Sequence, residues 1–180
     1  MAGSAVAANY AEALFELAGK SGRLEEYGRL IEATAQALAG SPQAQAILAS
    51  PKVAKTAKAE LIGNAIAKIG APREFVLYLQ AVVKRGRQNK FGQIADAYGD
   101  LVDHKMNRVR ASVTMARPAD QPLQQAIAVS LQKTVGKEII ATFGVEPGLL
   151  GGAIVRVGDK VYDGSLRRKL VKLKRQLLSR

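Results

Sequence analysis

The 180-residue sequence contains no cysteine, no tryptophan and a single histidine. Without cysteine there is no disulfide, no thiolate zinc site and no cysteine nucleophile. With His104 alone, every two-histidine metal site is excluded, and a hydrolase triad would depend on that one residue. His104 stands in the polar stretch LVDHKMNR, where a solvated cation near a helix C-terminus is the simpler reading. Aromatic residues make up only 5% of the chain, so Ala, Leu, Val and Ile must build the core. No run approaches the roughly 20 apolar residues needed to cross a bilayer. The opening MAGSAVAANY has no basic residue, no signal-peptide core and no Arg-rich transit pattern. The expectation is a soluble protein made where it works, or one already processed.

What is abundant is positive charge, and it is unevenly placed. The net charge is +12. Residues 1–105 carry 13 basic and 10 acidic side chains, whereas residues 106–180 carry 14 and 5. A one-sided excess of this kind favours an acidic partner: nucleic acid, anionic lipid or an acidic protein surface.

The first hundred residues have helical spacing. In VAANYAEALFELAGK, Ala7, Ala11, Leu14 and Ala18 form one stripe, extended by Tyr10 and Leu17, and Asn9, Glu12, Glu16 and Lys20 form the opposite one. A second helix is expected from about Leu24 to Leu38, with Tyr27, Ile31 and Ala35 inward and Gly40 at its end. Ser41-Pro42 and Ser50-Pro51 each read as a capped helix start, with Gly70 closing the second of these. Pro72 opens a fifth helix. KFGQIADAYGDLVDHKMN gives a sixth, with Ile94, Ala97, Tyr98, Leu101 and Val102 inward. Short links between six helices imply a compact bundle.

Near Asn107 the period changes to two. Val109, Ala111, Val113 and Met115 alternate with Arg108, Arg110, Ser112 and Thr114, the pattern of a strand with one buried face. A helix follows, capped by Asp120, lined by Leu123, Ile127 and Leu131, and ended by Gly136. Ile139, Ala141, Phe143 and Val145 then alternate again. The expected architecture is two domains: an all-α six-helix bundle over 1–105 and a small α+β domain of strand, helix, hairpin and helix over 106–180.

GLLGGAIVRVGDKVYDGS, residues 148–165, holds five of the 17 glycines. A phosphate-binding loop needs Gly-Lys-Ser/Thr between strand and helix, and a dinucleotide fingerprint needs a helix opening at its last glycine. Here Gly151 and Gly152 lead into the strand-like AIVRV, so neither pattern is met. A turn reading accounts for every glycine. Gly151 and Gly152 start a strand against crowded backbone, Gly158-Asp159 makes a two-residue type II′ hairpin, Gly164 takes a positive φ and Ser165 caps the last helix. In that helix Leu166, Leu170, Leu173 and Leu177 form an inward stripe. From Gly164 to Arg180 there are seven basic residues and no acidic one.

These features together resemble the delta subunit of bacterial F-type ATP synthase, homologous to the mitochondrial oligomycin-sensitivity-conferring protein. NYAEALFELA resembles the opening helix of that family, with Tyr10, Ala11, Ala13 and Phe15 at matching places. VVKRGRQNKF, residues 82–91, resembles its turn after the fifth helix. The most specific stretch is GLLGGAIVRVGDKVYDGSLRRKLVKLKRQL, with a Gly-rich opening (Gly151, Gly152), a Gly-Asp hairpin (Gly158, Asp159), an Asp-Gly-Ser turn (Asp163, Gly164, Ser165) and a basic helix. The resemblance implies a non-catalytic stator subunit, one copy per complex, with no cofactor, no metal, no nucleic acid and no direct membrane insertion. It implies that the helical domain receives an N-terminal helix of an alpha subunit between its first and fifth helices, where Tyr10, Ala13, Leu14 and Leu17 face Tyr78, Ala81 and Val82. For each of these residues, groove and core are equally open readings. The α+β domain would meet the b-type subunits of the peripheral stalk, and its charge suits an acidic stalk end. The implied place is the cytoplasmic face of the bacterial inner membrane, within a proton-translocating complex. Two other readings compete. A nucleic-acid-binding protein would fit the charge but lacks an aromatic platform. An enzyme would have to rely on Asp, Glu, Lys or Ser, of which no pair stands at a telling spacing.

Overall fold

The computed structural model describes residues 2–158 and 160–171, with side chains from residue 5 onward. The chain divides into two compact units, Met1–Val102 and Asp103–Arg180. The first is helical and the second is α+β. The boundary lies inside a helix, a few residues before the change of period at Asn107.

The helical unit contains α1 (Ala2–Ser21), α2 (Leu24–Ala39), α3 (Pro42–Ala49), α4 (Lys55–Ala67), α5 (Arg73–Lys84) and most of α6 (Phe91–Lys105). On α1, Ala7, Ala11, Leu14 and Ala18 are all buried, whereas Asn9, Glu12, Glu16 and Lys20 are exposed. Three of the four buried positions are alanine, which lets neighbouring helices approach closely. The bulk comes from elsewhere: Tyr27 and Ile31 of α2, Phe75, Leu79, Val82 and Val83 of α5, and Ile94 and Tyr98 of α6. Tyr27 meets Phe75 edge-on, with ring centroids 5.5 Å apart. The Tyr98 hydroxyl donates to Leu24 O at 2.8 Å, which satisfies the one polar atom that this large buried residue brings with it.

The two Ser-Pro pairs behave differently. Ser41 caps α3, its Oγ accepting the Ala44 N–H at 3.3 Å. Ser50 does not start α4. Its Oγ accepts from Lys52 N only two residues on, its own N–H closes α3 on Ala46 O, and α4 begins at Lys55. The residue before a proline is pushed to extended backbone in both cases, and the partner of the serine oxygen decides whether a helix or a turn follows. The buried Lys58 of α4 then donates to Ser50 O at 2.6 Å, tying the start of α4 to the end of α3.

In the second unit, β1 (Arg108–Met115), β2 (Glu138–Val145), β3 (Ala153–Val157) and β4 (Lys160–Asp163) form one sheet in the order β2-β1-β3-β4. β1 and β2 are parallel and joined through α7 (Gln121–Val135), while β3 and β4 are antiparallel neighbours. Registers Val109↔Ile139, Ala111↔Ala141 and Val113↔Phe143 place the alternating apolar residues on one face. That face holds the buried Ala111, Val113 and Val157. Asp120 caps α7 by accepting the Leu123 N–H at 3.0 Å, and Gly136 ends it with φ 73°.

Three expectations are corrected here. α7 packs against β2, yet none of its residues is fully buried, and Leu123 is exposed rather than inward. Val145, at the end of β2, is exposed as well. The chain is helical again over 166–171, and there Leu166 and Leu170 stand in solvent instead of lining a core. Leu173 and Leu177 lie outside the described residues.

Candidate partner-binding surfaces

Two surfaces, one in each unit, hold the residues singled out by the sequence. The first lies along α1 and α5. The Tyr78 hydroxyl donates to Tyr10 O at 2.7 Å, a bond across 68 residues that fixes the two helices side by side. Burial pushes the Tyr78 phenol above the ordinary tyrosine value, with a further contribution from Tyr10. Leu14 and Val82 are 0% exposed and belong to the core. Tyr10, Leu17 and Tyr78 are half-buried, and Ala13 and Ala81 are exposed. Helical spacing puts Tyr10, Ala13 and Leu17 on one flank of α1, and Tyr78 and Ala81 on one flank of α5. Exposed Leu77, one turn before Ala81, extends this flank. Small and apolar side chains beside a fixed helix pair can receive a further amphipathic helix.

The second surface is the glycine-rich stretch. Gly152 has φ 81°, and a Cβ there would overlap Gly164 O and lie 3.0 Å from Ser165 Cα. Two backbone segments therefore cross in contact, held by Gly164 N–H to Ala153 O at 2.9 Å and Leu166 N–H to Gly151 O at 3.0 Å. Asp163 Oδ1 accepts the Ser165 N–H at 2.9 Å. That backbone bond, with the Ser165 side chain, holds the Asp163 carboxyl below its ordinary value. Buried Ser165 accepts the Arg168 N–H at 3.3 Å, closing the first turn of the terminal helix. Gly158, φ 55°, leads the two-residue loop between Val157 and its partner Lys160, and Asp159 lies outside the described residues. Gly164 departs from expectation. It does not take a positive φ; its lack of a side chain matters because a Cβ would sit 3.3 Å from Ala153 O.

Sequence reading passed over one residue here. Leu150 follows a 3₁₀ turn, Pro147–Leu149, and adopts φ 59°, ψ −22°. Left-handed backbone costs a residue with a Cβ about 1–2 kcal/mol. Glycine stands at 148, 151 and 152, yet leucine occupies the left-handed position. Nothing in the pattern PGLLGG tells which of its residues takes that conformation.

A family model for the ATP synthase delta (OSCP) subunit matches residues 6–177. The chain belongs to this family. It is 40% identical over 175 residues to the ATP synthase subunit delta of Gemmatimonas aurantiaca, covering 97% of this chain and 94% of that protein. It is 34% identical to the subunit delta of Solidesulfovibrio magneticus, covering 98% of both chains. In three dimensions it resembles a chain of the Toxoplasma gondii mitochondrial ATP synthase hexamer with a TM-score of 0.71. That likeness covers 96% of this chain and 97% of the other at 22% identity, so it speaks to the fold alone. Membership of the delta (OSCP) family rests on a match over residues 6–177 and leaves the nucleic-acid reading without support. The Gly152–Gly164 crossing makes this glycine-rich stretch a packing joint.

Proposed function

We propose that this chain is the non-catalytic stator subunit that joins the catalytic head of an F-type ATP synthase to its peripheral stalk. Its helices act as one six-helix bundle and receive an amphipathic N-terminal helix of an alpha subunit along α1 and α5. Tyr10, Ala13, Leu17, Tyr78 and Ala81 form the receiving surface, with Leu14 and Val82 supporting it from beneath. Residues 106–180 hold the b-type subunits of the stalk. One copy sits in each complex, on the cytoplasmic face of the inner membrane. The joint keeps the head still while the rotor turns, so its task is slow dissociation under torque rather than turnover.

The observation that carries this reading is the match to the delta (OSCP) family over residues 6–177, combined with the tyrosine-bonded α1–α5 pair. Calorimetric titration of the full chain with a peptide of the alpha-subunit N-terminal helix tests it. One-to-one binding is expected, weakened at least tenfold by Ala81→Arg with the melting temperature unchanged, because Ala81 is exposed. A folded wild-type chain that binds no such peptide would remove the α1–α5 assignment.

A further inference from the structure

We propose that Leu150, Leu166 and Leu170 form the anchor on which an acidic, amphipathic helix of the peripheral stalk docks. This rests on the reading above that residues 106–180 hold the stalk. Leu150 is 73% exposed, more than any other large apolar side chain among the described residues, and Leu166 and Leu170 are 46% and 58% exposed. The Leu166 N–H bond to Gly151 O brings the start of the terminal helix against the residue that follows Leu150. Gly151 leaves room for this: a Cβ there would lie 2.6 Å from Leu166 Cδ1. Leu170 stands one helical turn further on, beside exposed Val171. Large apolar side chains grouped in solvent mark an interaction surface.

The turn itself does not need leucine at 150. The left-handed position is one that glycine fills without strain, so the backbone there holds a bulky side chain outward at a conformational cost. Strain kept at an exposed position points to a partner. The rim gives the partner its sign. Arg167, Arg168 and Lys169 are exposed around the leucines, and the sequence from Gly164 to its end has no acidic residue. Of the nearby carboxylates, Asp163 already accepts the Ser165 N–H, and Glu146 lies exposed before the 3₁₀ turn. The matching surface is an apolar stripe flanked by Asp and Glu. An anionic membrane would share the charge, but interfacial binding calls for a broad apolar face, and here the leading leucine is fixed by its backbone.

Leu150→Gly separates anchor from scaffold, because glycine suits the left-handed backbone. The full-length variant should melt no lower than wild type. Its affinity for the soluble segment of the stalk b subunit should fall at least tenfold, and Leu170→Asp should weaken the same binding. Arg168→Glu should reduce the salt dependence of that binding. If Leu150→Gly binds the segment as tightly as wild type, the anchor assignment is wrong while the stalk reading stands. A folded wild-type chain that binds the alpha-subunit peptide but not the stalk segment overturns both. Co-flotation of wild type with phosphatidylglycerol vesicles that Leu150→Gly abolishes, with stalk binding unchanged, overturns the proposal in favour of a lipid surface.

Discussion

Replacing Gly152 with alanine tests whether the glycine-rich stretch is a packing joint. Gly152 has φ 81°, and its missing Cβ would meet the backbone of Gly164 and Ser165. Gly136 supplies the control, with φ 73° and nothing within 4 Å of a Cβ. Gly136→Ala therefore carries only the conformational cost, about 1 kcal/mol. Gly152→Ala carries a similar cost plus an overlap with main chain that no rotamer relieves, about 1–3 kcal/mol more on the scale of overpacked sites. For a domain of this size, about 4–8 °C is lost per kcal/mol. The control should thus lose about 4–8 °C, and Gly152→Ala roughly twice to four times as much. Hydrogen exchange on the full chain, followed in peptides from residues 1–102 and 103–180 separately, assigns the loss. Protection should drop in β3, β4 and their neighbours and stay unchanged in α1 to α5. If Gly152→Ala costs no more than Gly136→Ala, the crossing with Gly164 is not tight and the packing reading fails.

Three further outcomes are expected. Leu14→Asp places a carboxylate at a position with no solvent exposure; it should cost about 4 kcal/mol or more and abolish the far-UV signal of a stable helical unit, and an unchanged urea midpoint would move Leu14 out of the core. Tyr78 and Tyr98 both have phenol pKa values raised by burial, so their contribution is intact below the ordinary tyrosine value of about 10 and disappears as pH rises through the higher folded values. Spectroscopic titration in base should lose a late-ionising tyrosine on Tyr78→Phe; a late-ionising component left unchanged by that substitution would contradict the burial of Tyr78 and its bond to Tyr10 O. The Asp163 carboxyl is held low by the Ser165 N–H, so its contribution is present above the ordinary value of about 4 and lost as pH falls through its own lower one. Asp163→Asn should flatten the acid limb of stability measured between about pH 5 and 2, and parallel limbs for the two proteins would discount that bond.

Much of the helical unit was legible because period and burial agree there. The α1 stripe follows from spacing alone, since Ala7, Ala11, Leu14 and Ala18 are the residues with no exposure to spare. The Ser41 cap and the Gly136 stop follow from residue chemistry. Ser50-Pro51 is ambiguous because the dipeptide suits a turn as well as a helix start, and the Ser50 Oγ bond from Lys52 N, two residues on, marks the turn that the fold uses. In the candidate surfaces, spacing placed Leu14 and Val82 beside Tyr10 and Ala81 without separating the inward from the outward members. That separation depends on where neighbouring helices lie. Residue type alone points Gly164 to left-handed backbone, whereas its actual constraint is the Ala153 carbonyl oxygen, an atom of β3.

The same difference explains why periodicity misplaces Leu166 and Leu170. Amphipathic spacing identifies an apolar face without saying whether the chain itself supplies its cover. In the helical unit the cover is internal: Tyr27, Tyr98, Phe75, Leu14, Ile31, Leu79 and Ile94 all lie there among the largest fully buried side chains, and among the described residues Val113 is the only one of that group in the second unit. The second unit instead leaves Leu123, Val129, Leu150, Leu166, Leu170 and Val171 in solvent. A small domain that buries so little of its apolar surface is marginal alone and gains stability from any partner that binds only its folded form. For a stator joint this is a consistent division. The helical unit carries its own core and offers small residues along α1 and α5, whereas the α+β unit leaves Leu150 and a basic rim exposed; on the proposal above, seating a stalk helix would both make the joint and complete the burial.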